Sequence, residues 1–474
     1  MRYYGDVPGY YVENFGCRAT QADGAALERQ FEERGLRRAA TPGQASVVVL
    51  NTCTVTSGAD RDARAAIRRV RRQNPDARIV VTGCYAQRAP EEVAALPGVD
   101  LVVGNSHKHQ LGEIALNRGI ERTRANDFVS LESLGQRPVT DEQRPIFVSD
   151  IFAHTELLAA PVFEAANERT RPNLKVQDGC DNRCSFCVIP FVRGQSRSLG
   201  IARIIAEVNT LIDAGYREVV VSGINLGRWG RDLAVSPQPS GGSERLTTNE
   251  QPLVTLIRAI LGATSVERLR ISSVEPMDWS DDLISLMALS PRIAKHAHVP
   301  MQSGSDRVLR RMHRKYRPWH YRERILKIRA AMPTAAIGAD VMVGFPAETD
   351  SEFEATRKMI EDLPFTYLHV FTYSARPGTP AAALPNQVPV RVAHERNRIL
   401  RELAAEKKLA FMQGFAGQTI EAITLNVVGH DSEGEFTEAL TENYLKLRIR
   451  GRHEPNRWQT VAVKHVSADA LVSQ

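Results

Sequence analysis

The sequence predicts an α/β protein in three parts: an N-terminal doubly wound α/β domain, a partial (β/α)6 barrel and a small C-terminal antiparallel β-barrel. Three observations support this. Strand and helix patterns alternate over residues 1–110, a second alternating series follows residue 171, and short strands dominate after Gly417. The 474 residues, 43% of them hydrophobic, suffice for about three domains. We place the domains at 1–135, 171–411 and 412–474, with a linker at 136–170.

The N-terminal part alternates strands at 10–15, 46–50, 78–81 and 99–103 with helices at 21–34, 59–73 and 91–96. Its first three strands run directly into Cys17, Cys53 and Cys84. The carboxyl ends of parallel strands lie at one edge of a sheet, so these thiols are predicted to converge. Taken alone, they are equally well read as buried structural cysteines.

The second series predicts barrel strands at 174–177, 218–222, 268–272, 296–300, 336–343 and 367–372. Helices are expected between them, for example at 201–214, 281–288, 321–331 and 351–363. Six such units predict a barrel that stays open on one side. Strands at 420–428, 444–449 and 459–466 predict a small C-terminal β-barrel of a type that often binds nucleic acid. Residues 234–251 read as a surface loop without an assigned function.

A cysteine motif directly after the first barrel strand is the strongest chemical signal. Cys180, Cys184 and Cys187 form a C-x3-C-x2-C loop, which brings three thiolates around one iron–sulfur cubane and leaves its fourth iron open. The alternatives are a structural zinc site or buried thiols. Zinc sites usually offer four ligands in C-x2-C pairs, and no fourth candidate is nearby.

Composition sets outer limits on the function. Six cysteines are too few for a disulfide scaffold, and all six fall into the two sets of three. No signal peptide is visible and no apolar run reaches the ~20 residues of a membrane span, so we expect a cytoplasmic protein with no membrane partner. The net charge of +6 is a weak hint of an anionic partner.

The 180–187 loop resembles that of the radical S-adenosylmethionine superfamily, and with Cys17, Cys53 and Cys84 the chain resembles its methylthiotransferase family. The resemblance covers nearly the whole chain, including a C-terminal domain similar to the TRAM module. It implies two [4Fe–4S] clusters, one on each cysteine set, and S-adenosylmethionine as cofactors. Where the family commonly has asparagine three residues after the first cysteine, this chain has Thr20.

The resemblance also implies the partners and narrows the substrate. It implies tRNA bound through its anticodon loop, an electron donor such as flavodoxin or ferredoxin, a sulfur source, and no DNA. Segments 193–198, 302–306 and 441–444 are similar to the corresponding segments of enzymes that act on N6-threonylcarbamoyladenosine. The alternatives are methylthiotransferases of N6-isopentenyladenosine or of a ribosomal-protein aspartate. An alternative of another class is a non-catalytic iron–sulfur redox sensor that binds RNA.

Polar motifs at the carboxyl ends of later barrel strands are similar to family segments that line the cofactor cleft, where barrel enzymes build their sites. The expected cofactor-binding residues are Phe186, Gly223, Ser273, Glu275, Gln302, Ser303, Asp340 and Val343. For any one of them, an ordinary strand-end or turn role is an equal alternative.

RNA contacts are expected from two basic runs and two single residues. The run 61–72 holds Arg64 and Arg68, and a second run spans 310–317. Arginines of this kind neutralise phosphates, but a solvated helix face is an equal alternative. Arg376 and Tyr444 are further candidates, with ordinary packing as their alternative.

Overall fold

The computed structural model describes residues 9–117, 144–154, 171–233 and 251–473. The described chain divides into two compact units. The first contains 9–117, 144–154 and 191–193, and the second contains the remainder. Most of the predicted linker, and nearly all of the 234–251 loop, lie outside the described residues.

The first unit is a parallel sheet flanked by helices. Its strands are β1 (Gly9–Asn14), β2 (Arg37–Arg38), β3 (Val47–Thr52), β4 (Arg78–Gly83), β5 (Leu101–Val103) and β6 (Ile146–Phe147). Its helices are α1 (Arg18–Glu32), α2 (Ser57–Gln73), α3 (Cys84–Arg88), α4 (Pro90–Ala94) and α5 (Leu111–Leu116). The strand order is β2-β1-β3-β4-β5-β6. The sheet therefore runs past the predicted domain boundary at 135, because β6 pairs with β5.

Alternation along the strands explains the doubly wound arrangement. In β3, Val48 and Leu50 pack with Ile67 of α2, whereas Val47 and Val49 belong to a second core cluster with α1 and α5. Successive strand residues point to opposite faces, so a continuous apolar run needs helices on both sides.

The second unit begins with an open barrel. Its strands are β7 (Asn173–Asp178), β8 (Arg197–Ser198), β9 (Glu218–Gly223), β10 (Arg268–Ile271), β11 (His296–His298), β12 (Ala336–Val343) and β13 (Tyr367–Thr372). The helices that follow β7 onward are α6 (Ile189–Arg193), α7 (Ile201–Asp213), α8 (Pro252–Ala263), α9 (Asp281–Leu289), α10 (Asp306–Arg311), α11 (Pro318–Ala331), α12 (Asp350–Asp362) and α13 (Val390–Gln413). Two sheets form the wall, in the orders β10-β9-β7-β8 and β11-β12-β13. An isolated bridge between Leu269 and Ile293 links them, so the six predicted parallel strands follow one another as expected.

A closed barrel ends the chain. Its strands are β14 (Thr419–Asp431), β15 (Gly434–Thr441), β16 (Lys446–Arg450), β17 (Trp458–Val466) and β18 (Leu471–Ser473), in the order β14-β15-β16-β18-β17. All pairings are antiparallel except that of β16 with β18. Among the described helices, none is both long and apolar enough to cross a membrane.

Candidate functional site

Three cysteines of the first unit meet at the carboxyl edge of its sheet. Cys17 caps α1 after β1, Cys53 directly follows β3, and Cys84 begins α3 after β4. These three strands are neighbours in the sheet. A Cβ added to Gly16 would lie 2.6 Å from Cβ and 2.9 Å from Sγ of Cys53, so the turn before Cys17 lies against the Cys53 side chain. The predicted convergence of strand ends is therefore present.

The pKa of Cys53 also reflects the proximity of the other two thiols. Burial and, to a smaller extent, the neighbouring thiols of Cys84 and Cys17 raise the pKa of its thiol to about 12. Three thiols that repel one another's thiolate charge are typical of a site completed by a metal centre, which deprotonates its ligands.

Polar groups surround these sulfurs. The Val55 N–H donates to Sγ of Cys53 at 3.5 Å, and Nδ2 of Asn105 donates to Sγ of Cys84 at 3.7 Å. Sγ of Cys17 lies 3.6 Å from Oγ1 of Thr20, the residue that departs from the family pattern. Thr20 thus supplies a polar contact of its own to the first cysteine.

A buried charge cluster lies beside the same thiols. Lys108 and Arg193 each reach Oδ2 of Asp23 at 3.0 Å, and all three side chains are at most 4% exposed. Desolvation lowers the pKa of Lys108, although Asp23 and Cys84 oppose that shift. Two cations against one carboxylate give this cluster a net positive charge, which favours negative charge on the adjoining thiols.

The compact cysteine loop lies in the second unit, directly after β7. Cys180, Cys184 and Cys187 are all partly exposed. Burial and, to a smaller extent, the thiols of Cys184 and Cys180 raise the pKa of the Cys187 thiol to about 12. The three thiols of this loop therefore lie near enough to interact electrostatically.

Two side chains from later barrel segments donate to this loop. Nη1 of Arg314 donates to Sγ of Cys184 at 3.2 Å, and Nδ2 of Asn225 donates to Sγ of Cys180 at 3.5 Å. Glu275 forms a close ion pair with Arg314, whose side chain is 5% exposed. Glu275, one of the expected cofactor-binding residues, thus holds the arginine that contacts a cluster-loop sulfur.

The other predicted cofactor residues fall into two groups. Gln302 has a left-handed backbone (φ 60°), and its buried amide oxygen has no hydrogen-bond partner within the described chain, so it remains a candidate ligand contact. Ser273 is half-buried at the end of β10, and Phe186 packs edge-on against Phe345 at 6.4 Å. Asp340 lies between two histidines.

Ser303, Val343 and Gly223 make contacts within the barrel wall, and their predicted cofactor contacts stay predictions. Oγ of Ser303 accepts the Ser305 N–H and pairs with Oγ1 of Thr356. Val343 is fully buried. A Cβ at Gly223 would lie 2.8 Å from Oε1 of Gln177, so that glycine allows close packing within the barrel wall.

The residues predicted to contact RNA also fall into two groups, one exposed and one packed against other side chains. Arg68 is exposed on α2, whereas Arg64 donates to Oη of Tyr85 at 2.8 Å and pairs with Glu92. Arg376 is 3% exposed, so it does not present the surface guanidinium that was expected. Tyr444, with φ 65°, packs its ring 4.7 Å from His296 instead of facing solvent fully.

The second basic run is mostly committed to internal contacts. Arg310 pairs with Asp306, Arg311 donates to Glu352, and Arg314 is buried against Cys184. The spacing of basic residues gave no signal of the Arg311 and Arg314 contacts, because Glu352 and Cys184 lie in other segments of the chain. The functional residue that sequence reasoning missed here is Arg314.

Known proteins were compared with the chain. Residues 9–104 match the model of "Uncharacterized protein family UPF0004" and residues 174–360 that of the "Radical SAM superfamily". A protein of Bacillus subtilis (strain 168) named threonylcarbamoyladenosine tRNA methylthiotransferase MtaB is 37% identical over 93% of this chain and 90% of its own length. The chain belongs to the radical S-adenosylmethionine methylthiotransferase family.

Other methylthiotransferase relatives agree. The Aquifex aeolicus (strain VF5) protein of the same name is 35% identical over 95% of this chain and 99% of its own length. A Nocardia farcinica (strain IFM 10152) protein named tRNA-2-methylthio-N(6)-dimethylallyladenosine synthase is 34% identical over 87% of this chain and 77% of its own length.

A solved structure supports the fold of this methylthiotransferase. The radical S-adenosylmethionine methyltransferase TsrM from Kitasatospora setae, with cobalamin and a [4Fe–4S] cluster bound, aligns with a TM-score of 0.55 at 15% identity. The alignment covers 79% of this chain and 77% of that one.

The cofactors of this methylthiotransferase are S-adenosylmethionine and [4Fe–4S] clusters. The residues present fit two clusters. Each set supplies three thiols, and each set has nitrogen donors directed at its sulfurs, as cluster ligands require.

Proposed function

We propose that this chain adds a methylthio group to C2 of N6-threonylcarbamoyladenosine at position 37 of tRNA, beside the anticodon. The observation that carries the proposal is the presence of two separate three-thiol sites in a chain 37% identical to a threonylcarbamoyladenosine tRNA methylthiotransferase. One site suits cleavage of S-adenosylmethionine, and the second suits handling of the transferred sulfur.

In this proposal, Cys180, Cys184 and Cys187 ligate the radical cluster, and Cys17, Cys53 and Cys84 ligate the auxiliary cluster. When bound, the clusters supply the electron that cleaves S-adenosylmethionine to a 5′-deoxyadenosyl radical and the iron site at which sulfur is methylated. The protein's own residues bind and orient these groups and exclude water from them.

Arg314 and Asn225 position the radical site. Their N–H groups donate to the sulfurs of Cys184 and Cys180, and hydrogen bonds to cluster sulfurs raise a cluster's reduction potential. Gln302, whose amide oxygen faces no partner in the described chain, is our candidate contact to bound S-adenosylmethionine.

RNA binding is assigned to the basic face of α2 and to the C-terminal barrel. Arg61, Arg68 and Arg72 are exposed on α2 and have no ion pair with any described residue. Single-stranded loops are the usual targets of sequence-specific RNA recognition, because their bases can be turned out and stacked. We also propose a flavodoxin- or ferredoxin-type electron donor and a separate sulfur source.

The direct test compares tRNA nucleosides by mass spectrometry from a strain lacking this chain and one in which it is restored. We expect 2-methylthio-N6-threonylcarbamoyladenosine to disappear and return. A change in the isopentenyl analogue instead would move the substrate to that of the Nocardia relative. An unchanged set of methylthio nucleosides would favour the ribosomal-protein substrate, and an absence of 5′-deoxyadenosine release from the reduced protein would favour a sensor.

A further inference from the structure

A cluster of two histidines and one aspartate lies in the open barrel. Nε2 of His298 and Nδ1 of His369 each lie 3.3 Å from Oδ1 of Asp340. These residues belong to three neighbouring strands, β11, β12 and β13. The sequence gave no sign of the cluster, because its members are 42 and 29 positions apart.

The burial pattern of β12 shows which face of the barrel wall carries this cluster. Ile337, Ala339 and Val341 are fully buried, as expected for the face covered by helices. Asp340 points to the opposite face, where its side chain is 27% exposed and that of His369 is 61% exposed. The cluster therefore faces the barrel lumen.

The same face leads to the radical-cluster loop. Met342, two residues after Asp340, belongs to one apolar cluster with Phe186 and Phe371. Phe186 lies between Cys184 and Cys187 in sequence. Two residues of strand span about 6.6 Å, so the histidine–aspartate cluster lies roughly one layer of side chains below the apolar cluster that contains Phe186.

His369 has a ring nitrogen available to a ligand. Nδ1 of His369 faces Asp340, and Nε2 has no partner among the described residues. Although burial disfavours its charge, the two imidazoles lower the pKa of Asp340, so its carboxylate stays ionised and compensated. The two ring nitrogens of His369 therefore face in different directions, Nδ1 towards Asp340 and Nε2 towards a ligand in the lumen.

We infer that His369, positioned by Asp340, recognises the carboxylate of the threonylcarbamoyl substituent on the target adenosine. The inference rests on the proposed function. A threonylcarbamoyl group carries a carboxylate and a hydroxyl, whereas a dimethylallyl group has no polar atom. An apolar substituent in this part of the lumen would leave the polar groups of the cluster without a hydrogen-bond partner. Sites built to hydrogen-bond their substrate reject apolar analogues for this reason.

The test uses the full chain, reconstituted anaerobically, and three anticodon stem-loops that differ only at position 37. They carry threonylcarbamoyladenosine, isopentenyladenosine or unmodified adenosine. The variants are His369→Gln and Asp340→Asn, and His320→Gln, an exposed histidine on α11, is the matched control. The measurements are Kd by fluorescence anisotropy, kcat/KM for methylthio product, and 5′-deoxyadenosine released without RNA.

We expect His369→Gln to lower kcat/KM for the threonylcarbamoyl loop by about 10- to 100-fold, as for loss of one hydrogen bond to a charged group. Asp340→Asn should give a smaller loss of the same kind. For His369→Gln, the Kd of the unmodified loop and 5′-deoxyadenosine release without RNA should stay within about twofold of the wild type, as should all values for His320→Gln.

Three results would overturn the inference. One is an equal loss on all three loops, and another is an unchanged preference for the threonylcarbamoyl loop. The third is one extra transition-metal ion per chain that His369→Gln removes, since two histidines and a carboxylate also suit a metal. A wild-type chain that ignores the threonylcarbamoyl loop but modifies another would instead refute the proposed substrate, and the inference with it.

Discussion

The two cysteine sets reach the same local chemistry by different routes. Cys180, Cys184 and Cys187 lie within eight residues of one loop, whereas Cys17, Cys53 and Cys84 follow three separate strands. In the loop the covalent spacing alone brings the sulfurs together. In the dispersed set the parallel sheet does so, with glycines that let the turns approach. The first site is local and the second depends on the fold of its whole unit.

The largest expected effect separates the two sites. Cys184→Ser and Cys53→Ser should each abolish methylthio transfer and each lower the iron content from about eight to about four atoms per chain. Only Cys184→Ser should also abolish reductive release of 5′-deoxyadenosine, because that step uses the radical site alone. Iron analysis and chromatography of the nucleoside products give both readouts. Equal loss of 5′-deoxyadenosine in the two variants would contradict two independent sites.

The second prediction concerns the support of the compact loop. Glu275→Gln leaves the buried Arg314 without its carboxylate, and breaking a buried ion pair costs about 3–5 kcal/mol. We expect a lower apparent Tm and an altered reduction potential of the radical cluster, measured by thermal unfolding and by EPR-monitored titration. The matched control is Glu354→Gln, which breaks an exposed pair with Arg357. Equal Tm values for the two variants would show that Arg314 does not depend on Glu275.

The third prediction tests the turn before Cys17, the first cysteine of the dispersed set. Gly16 and Gly35 both have positive φ, so alanine costs about 1–2 kcal/mol at either position. Only at Gly16 would the new Cβ also press on Cys53, since nothing lies within 4 Å at Gly35. Gly16→Ala should therefore reduce auxiliary-cluster content, whereas Gly35→Ala should reduce stability only. Full iron content in Gly16→Ala would show that the turn can relax.

The smallest effect is expected on α2, the helix that follows Cys53. Replacing Arg61, Arg68 and Arg72 together by glutamine should weaken tRNA binding by about tenfold and reduce the slope of log K against log salt by about 2. Arg71→Gln is the control, because Arg71 is already paired with Asp100. An unchanged salt slope in the triple variant would show that this face of α2 does not contact RNA phosphates and is an ordinary solvated surface.

Much of the fold could be predicted from local pattern. The six parallel barrel strands, and β1, β3 and β4 of the N-terminal sheet, were expected within a few residues of their observed bounds. Helix α1 begins at Arg18 instead of the predicted 21, because Cys17 is its N-cap. The two-residue strands β2 and β6 were missed, because such short pairings depend on a neighbouring strand and leave no periodicity of their own.

The candidate site could be predicted only where its residues carry a local signal. The C-x3-C-x2-C spacing is such a signal. The role of Arg314 is not, because it depends on Glu275 and Cys184, which lie 39 and 130 positions away. The same reason explains why Arg376 and Tyr444 were expected at an RNA surface: sequence gives residue type, but burial is decided by partners elsewhere in the chain.

The packing of Tyr444 has a consequence for studies of the C-terminal barrel. Its ring lies against His296 and Tyr367 at the amino ends of the barrel strands, and Arg270 reaches the carbonyls of Thr441 and Glu442. The C-terminal barrel thus forms a floor beneath the reaction chamber. A chain truncated after residue 411 loses these contacts, so a loss of its activity would include damage to the open barrel itself and could not be assigned to the C-terminal barrel alone.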